Sequence, residues 1–175
     1  MSFKPFFLRG EVVHGKGRGG TQLGFPTANI GLNATVTDQL LPYKDLVLYG
    51  WGTVVGFPGK SAGESMGPYP FAMSIGFNPH FHEKALTAEV HFLHKFDGDF
   101  YGQVVNVVVL GVIRGMQAYK SLDALVEAIN EDIRQTKEAL QKPELLHFKE
   151  FPLLLSSSAR LGSSENIPFF ETLDA

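Results

Sequence analysis

Leu46-Val-Leu-Tyr-Gly-Trp-Gly-Thr-Val-Val55 is a ten-residue run of aliphatic, aromatic and β-branched side chains interrupted only by glycine. Such a run fits a pleated, buried surface and is short for a helix, so it reads as a strand. Outward from it, Val12-Val13, Phe71-Ala-Met-Ser-Ile-Gly-Phe77, Ala88 to Phe96 and Val104 to Ile113 have the same character. Gly, Pro or Asp-Gly clusters separate them. Several short strands punctuated this way predict a mainly β domain, a barrel or a sandwich.

One helix follows the strands. From Ser121, the residues Leu122, Leu125, Val126, Ile129, Ile133 and Leu140 recur at three- and four-residue steps, which stacks them on one face. Ser121 is the expected N-cap, Asp123 suits the positive end of the helix dipole, and Pro143 stops the pattern. The helix is expected against the outside of the β unit. Residues 56–70 and 156–175 are dense in Gly, Pro and Ser and are expected as loops, the second mobile or draped over the surface.

Composition narrows the function classes. At 175 residues and 44% apolar, the chain has material for one core and little room for two domains. The absence of Cys removes disulfide scaffolds, thiolate-held zinc and thiol nucleophiles together. A net charge of −3, with no basic aromatic-rich strand, argues against a nucleic-acid partner. No apolar run reaches transmembrane length and the N-terminus lacks secretory character, so no membrane association and a cytoplasmic location are expected.

Residues 10–20, Gly-Glu-Val-Val-His-Gly-Lys-Gly-Arg-Gly-Gly, match two phosphate-binding patterns on paper. Gly15, Gly17 and Gly20 satisfy G-x-G-x-x-G, and Gly10 to Lys16 satisfy most of the Walker pattern. Both work only where the loop opens a helix, and Gly24 and Pro26 forbid that here. The physics of the loop outlives the motifs. Glycine backbone N–H groups can form a concave anion nest, and residues 4–18 carry four cations against one acid. The alternative is a hairpin loop with solubilising charges.

Phe25-Pro26-Thr27-Ala28-Asn29-Ile30 follows. In an extended segment Thr27 and Asn29 leave the same face and offer two neutral oxygens, which suit a hard cation such as Mg²⁺. The alternative is a capped turn after proline.

From His14 to Ile30 these residues resemble the signature of the riboflavin kinase (flavokinase) family, in its eukaryotic monofunctional form. Ser74-Ile-Gly-Phe-Asn-Pro, Glu89 to Gly102, Asn106 to Arg114 and the helix with Ile129 and Asp132 continue the likeness in order. The resemblance covers about residues 6–140. It implies a six-stranded Greek-key β-barrel with a C-terminal α-helix packed outside. Residues 1–142 would form barrel plus helix, and 143–175 a partly irregular extension.

The resemblance further implies that Gly15, Lys16, Gly17, Arg18, Gly19 and Thr21 embrace nucleotide phosphates. Thr27 and Asn29 would hold Mg²⁺, with Zn²⁺ or Mn²⁺ as alternatives, and Thr87 and His94 would contact ATP. Glu89 would be the catalytic base, and Val107, Leu110, Val112 and Arg114 would lie on the flavin side. The implied reaction is transfer of the γ-phosphate of ATP to the ribityl 5′-hydroxyl of riboflavin, giving FMN and ADP, by a monomer. Many relatives follow the arginine with Pro-Glu and an aromatic. Here the order is Arg114-Gly-Met-Gln-Ala-Tyr119, which implies a more flexible flap.

The chemistry is coherent from below. Phosphoryl transfer needs positioning, charge neutralisation and a group to take the hydroxyl proton. Strand alternation puts Glu89, His91, Leu93 and Lys95 on the face opposite Ala88, Val90, Phe92 and Phe96, where a ligand can meet a carboxylate. His80 and His82 could share a face, but His91 and His94 point apart, so a histidine zinc site is not favoured. The competing function is a flavin-binding β-barrel module without catalysis, which would need neither metal ligands nor a base.

Overall fold

A computed structural model describes residues 3–13, 27–55, 65–77, 86–94, 102–117, 119–155 and 169–173. Strand β3 (Leu46–Val55), the stretch read first, pairs antiparallel with β4 (Ser65–Phe77) on one side and β6 (Val104–Gly115) on the other. Beyond β4 come β5 (Leu86–Phe92) and then β2 (Thr27–Ile30); beyond β6 comes β1 (Phe6–Val13). The sheet closes where Val12 and Val13 of β1 pair with Ile30 and Asn29 of β2. Six antiparallel strands therefore form the expected barrel, and closure leaves no open edge among them.

Alternation builds two cores from one sheet. Phe6, Leu8, Phe71, Met73, Ile75, Ala88, Val90, Phe92, Val105, Val107 and Val109 point inward and fill the barrel. Each large aliphatic or aromatic side chain buried there contributes about 1.5–3 kcal/mol. At Gly50 a Cβ would collide with the Val108 carbonyl across the β3–β6 ladder, so glycine permits the close approach at that bulge.

Phe7, Trp51, Val108 and Leu110 point outward on β1, β3 and β6 and would be exposed apolar surface if left bare. The C-terminal residues cover them. Helix α1 (Ala34–Leu40) lies elsewhere, after β2. Helix α2 (Leu122–Leu140) is followed by the single turns α3 (Pro143–Leu146) and α4 (Pro152–Leu155), and Leu140, Phe148, Leu154 and Leu173 complete this outer cluster. Hydrogen bonds fix the cover: Trp51 Nε1 donates to the Leu145 carbonyl at 3.1 Å, and Thr53 Oγ1 to the Leu154 carbonyl at 2.8 Å. Behind Thr53, Asn106 Nδ2 donates to its hydroxyl at 3.4 Å, while Asn106 Oδ1 accepts from Arg9 Nε at 2.8 Å.

Several local expectations change. Residues 65–70 extend β4 rather than looping, because Tyr69 and Pro70 pair with Gly52 and Trp51. Strand β5 starts at Leu86 and ends at Phe92, with a bend at Leu93–His94; Lys95 and Phe96 lie outside the described residues. In the tail, Phe169–Thr172 form β7, a seventh strand paired with β1.

Helix α2 begins as read, with Ser121 Oγ accepting from Ala124 N at 3.1 Å. Its most buried line, however, is Asp132, Thr136 and Leu140, while Leu122 is largely exposed. Polar residues can take the inner line because Asp132 meets a cation there.

Candidate active site

One cross-strand row crosses the outer face of the barrel: Asn29 on β2, Glu89 on β5, Ser74 on β4, Val47 on β3 and Arg114 on β6. Their inward-pointing chain neighbours Ala28, Ala88, Val90, Met73, Ile75 and Leu48 belong to the barrel core, which forces the row outward. Strands are spaced about 4.8 Å apart, so the row runs about 19 Å along the sheet. Directly opposed side chains such as Asn29 and Glu89 have Cβ atoms about 4.5–5.5 Å apart. Glu89 is half-buried, and burial pushes its carboxyl above the usual carboxylate range. Its proton affinity thus moves toward what a general base near neutral pH requires.

The adjacent row holds Thr27 and His91, which are paired across β2 and β5, with Ala72 of β4 beside His91. Burial lowers the proton affinity of His91, and the negative charge of Asp132 on α2 opposes the shift. Asp132 in turn takes both forks of Arg114, from Nε at 2.9 Å and Nη2 at 2.8 Å. This bond holds the Arg114 guanidinium more firmly protonated than usual. The packed helix therefore brings a carboxylate–guanidinium pair onto the same face as Glu89.

Thr87 shares the outward face of β5 with Glu89, and its hydroxyl donates to the Gly76 carbonyl at 3.0 Å. His94 sits past the end of β5, stacked on Tyr69 with ring centroids 3.9 Å apart and planes 14° from parallel. Tyr69 itself packs against the barrel interior. On the expected flavin side, Val107 is fully buried inside the barrel and Leu110 lies in the outer cluster. Only Val112, 41% exposed, and Arg114 bring their side chains to the end of β6.

After Arg114 the chain is anchored. Met116 N donates to the Asp45 carbonyl at 2.8 Å, and the Met116 thioether lies over Gly76, where a Cβ would come within 3.1 Å of its sulfur. Gly15, Lys16, Gly17, Arg18, Gly19 and Thr21 lie outside the described residues, as do the side chain of Thr27 and both His80 and His82.

Sequence reasoning weighed His91 only as a zinc ligand, named Asp132 within the family likeness without giving it a role, and assigned none to Tyr119. A signal for Asp132 was present: three residues after Ile129 and next to Ile133, an acid stands on the apolar face of a helix.

A metal fit can be tested on the donor set. Among the described residues no three His, Asp or Glu side chains cluster as a metal cage. The side-chain carbonyl oxygen of Asn29, a half-buried residue opposite Glu89, is a hard neutral donor. That fits Mg²⁺, which keeps several waters and takes few protein ligands.

Comparison with known proteins shows the family. The family model described as Flavokinase: Riboflavin kinase matches residues 2–140. The chain belongs to the riboflavin kinase family. Like the family's other members it is an enzyme, one that converts riboflavin to FMN at the expense of ATP. The riboflavin kinase of Homo sapiens is 38% identical over 151 residues, spanning 86% of this chain and 90% of that protein. That of Pyricularia oryzae is 38% identical over 144 residues, 79% of this chain and 72% of that one. The crystal structure of riboflavin kinase from Trypanosoma brucei superposes with a TM-score of 0.82 at 54% identity, covering 99% of this chain and all of that one. Among the described residues no helix is long and apolar enough to cross a membrane.

Proposed function

We propose that this riboflavin kinase uses Glu89 as general base on the ribityl 5′-hydroxyl of riboflavin. Glu89 takes the hydroxyl proton, the 5′-oxygen bonds to the γ-phosphorus of ATP, and the bond from that phosphorus to the bridging oxygen breaks to release ADP. The observation that carries this reading is the pairing of a half-buried carboxyl, raised in proton affinity, with Asn29 directly across the ladder. Thr27 and Asn29 would hold a divalent cation, Mg²⁺ in this reading, which neutralises charge on the phosphates when bound.

The glycine loop with Gly15, Lys16, Gly17, Arg18, Gly19 and Thr21 is assigned to the nucleotide phosphates, with Thr87 and His94 as further nucleotide contacts. The flavin ring is assigned to the end of β6, at Val112. Val107 and Leu110, both buried, shape that strand from its inner and outer faces respectively. Residues 1–142 are taken as the catalytic unit, 143–175 as a cover for the outer apolar face, and the working form as a cytoplasmic monomer.

The test is incubation with riboflavin and Mg-ATP followed by chromatography of the flavins. FMN should form with the native protein and fall to background with Glu89→Gln. FMN formation at the native rate by that variant would overturn the assignment of the base.

A further inference from the structure

We propose that Asp132 is a positioning residue for riboflavin, acting through Arg114 to hold the segment after β6 in its flavin-receiving position. The inference rests on the flavin-side assignment above. Three of the five N–H donors of Arg114 are committed within the protein: Nε and Nη2 donate to Asp132, and Nη1 donates to the Gly115 carbonyl at 3.1 Å. Its guanidinium carbon also lies 5.6 Å from the centre of the Tyr119 ring. One side chain thus joins the end of β6, Tyr119 and helix α2.

The pair is more buried than a surface ion pair, with side-chain exposures of 23% for Arg114 and 9% for Asp132. Burying such a pair roughly breaks even in stability against an apolar replacement, so its use is geometric. A bidentate fork fixes orientation as well as distance. Cation–π contact then extends the fixed plane to Tyr119.

What the junction orients is an apolar surface. Val112, Met116 and Leu122 are 41%, 47% and 64% exposed, and they lie two residues before Arg114, two after it, and at the first residue of α2. Each leaves bare apolar area within two residues of Arg114 or at the start of α2, of the kind that a flat heteroaromatic ring covers. The isoalloxazine ring of riboflavin is that occupant. Because Met116 is tied to Asp45 on one side and Arg114 to Asp132 on the other, loosening the Asp132 end lets the surface shift while β6 stays paired.

The experiment measures KM for riboflavin and for ATP separately in Asp132→Asn, Asp132→Glu and Tyr119→Leu, with riboflavin affinity read independently by fluorescence quenching. Asp132→Asn should raise the riboflavin KM on the order of 10-fold, the size expected for loss of a charge-assisted hydrogen bond, with the ATP KM unchanged. Asp132→Glu should recover most of the loss, and Tyr119→Leu should move the riboflavin KM in the same direction by less. A folded Asp132→Asn that leaves the riboflavin KM unchanged, or raises both KM values equally, overturns the proposal. If Asp132→Asn does not fold, Tyr119→Leu decides by the same criterion. Failure of the native protein to make FMN would instead overturn the functional reading.

Discussion

Asn29 and Glu89 face each other across the β2–β5 ladder, on the outside of a barrel whose interior is wholly apolar at that level. A neutral oxygen donor and a carboxylate are thereby held side by side by backbone hydrogen bonds, with no loop needed to position either. Asn29→Ala should weaken use of the metal–nucleotide by roughly 10- to 100-fold, the usual size for losing a group that orients a metal site. Riboflavin affinity should stay unchanged. Steady-state kinetics with each substrate varied in turn checks this, and equal losses for both substrates would contradict it.

Glu89 sets the pH behaviour. Burial raises its folded-state pKa above the unfolded value, so the ionised form is disfavoured in the native protein. The stabilisation is therefore present below the unfolded carboxyl value, about 4.3, and is lost as pH rises through the folded value. In metal-free buffer, Glu89→Gln should be at least as stable as the native chain at neutral pH, with the difference shrinking on acidification. The same substitution should lower kcat by about 10²- to 10⁴-fold. Thermal melts across pH, together with turnover at neutral pH, check both halves.

The acid limb of the native rate profile follows from the same shift. A base must be ionised to act, so kcat/KM should fall at a pH higher than an ordinary exposed carboxylate would give. A pH–rate profile with saturating metal and ATP reads this limb directly.

The cover over the outer apolar face depends on Thr53. Its hydroxyl donates to the Leu154 carbonyl and accepts from Asn106, so Thr53→Val leaves two buried polar groups without that partner. A loss of about 1–3 kcal/mol is expected in urea unfolding, since each buried unsatisfied group carries that penalty. KM values should not move, because Thr53 lies at the opposite end of β3 from Val47, the β3 member of the Asn29–Glu89 row.

Gly50 tests the barrel itself. A methyl group there meets the Val108 carbonyl across the β3–β6 ladder, and rigid backbone cannot yield as a side chain can. Gly50→Ala should destabilise by at least the 1–3 kcal/mol typical of overpacking, read as a lower denaturation midpoint.

Much of this was legible in the chain before folding. Strand runs such as Leu46–Val55, the Ser121 cap and the face on which Glu89 stands follow from side-chain chemistry and a two-residue period, which are local properties. The likeness of the ordered motifs to riboflavin kinases was equally readable. Local signals failed where a distant partner decides. Phe169–Thr172 became a strand because β1 offered it a ladder, and residues 65–70 because β3 was long enough to pair with them.

By itself, then, the sequence determined a mainly β unit with one capped helix and the strand face on which Glu89 stands. Only the tertiary structure decided that the buried helix face takes in an acid. Apolar periodicity points to Leu122, Leu125, Val126, Ile129, Ile133 and Leu140, and all but Leu122 are half-buried or buried, yet Asp132 and Thr136 on that same face are buried more deeply than most of them. The physical reason is a pairing across eighteen residues of chain: an acid can lie inside only where a cation meets it, and Arg114 does so once β6 and α2 have packed.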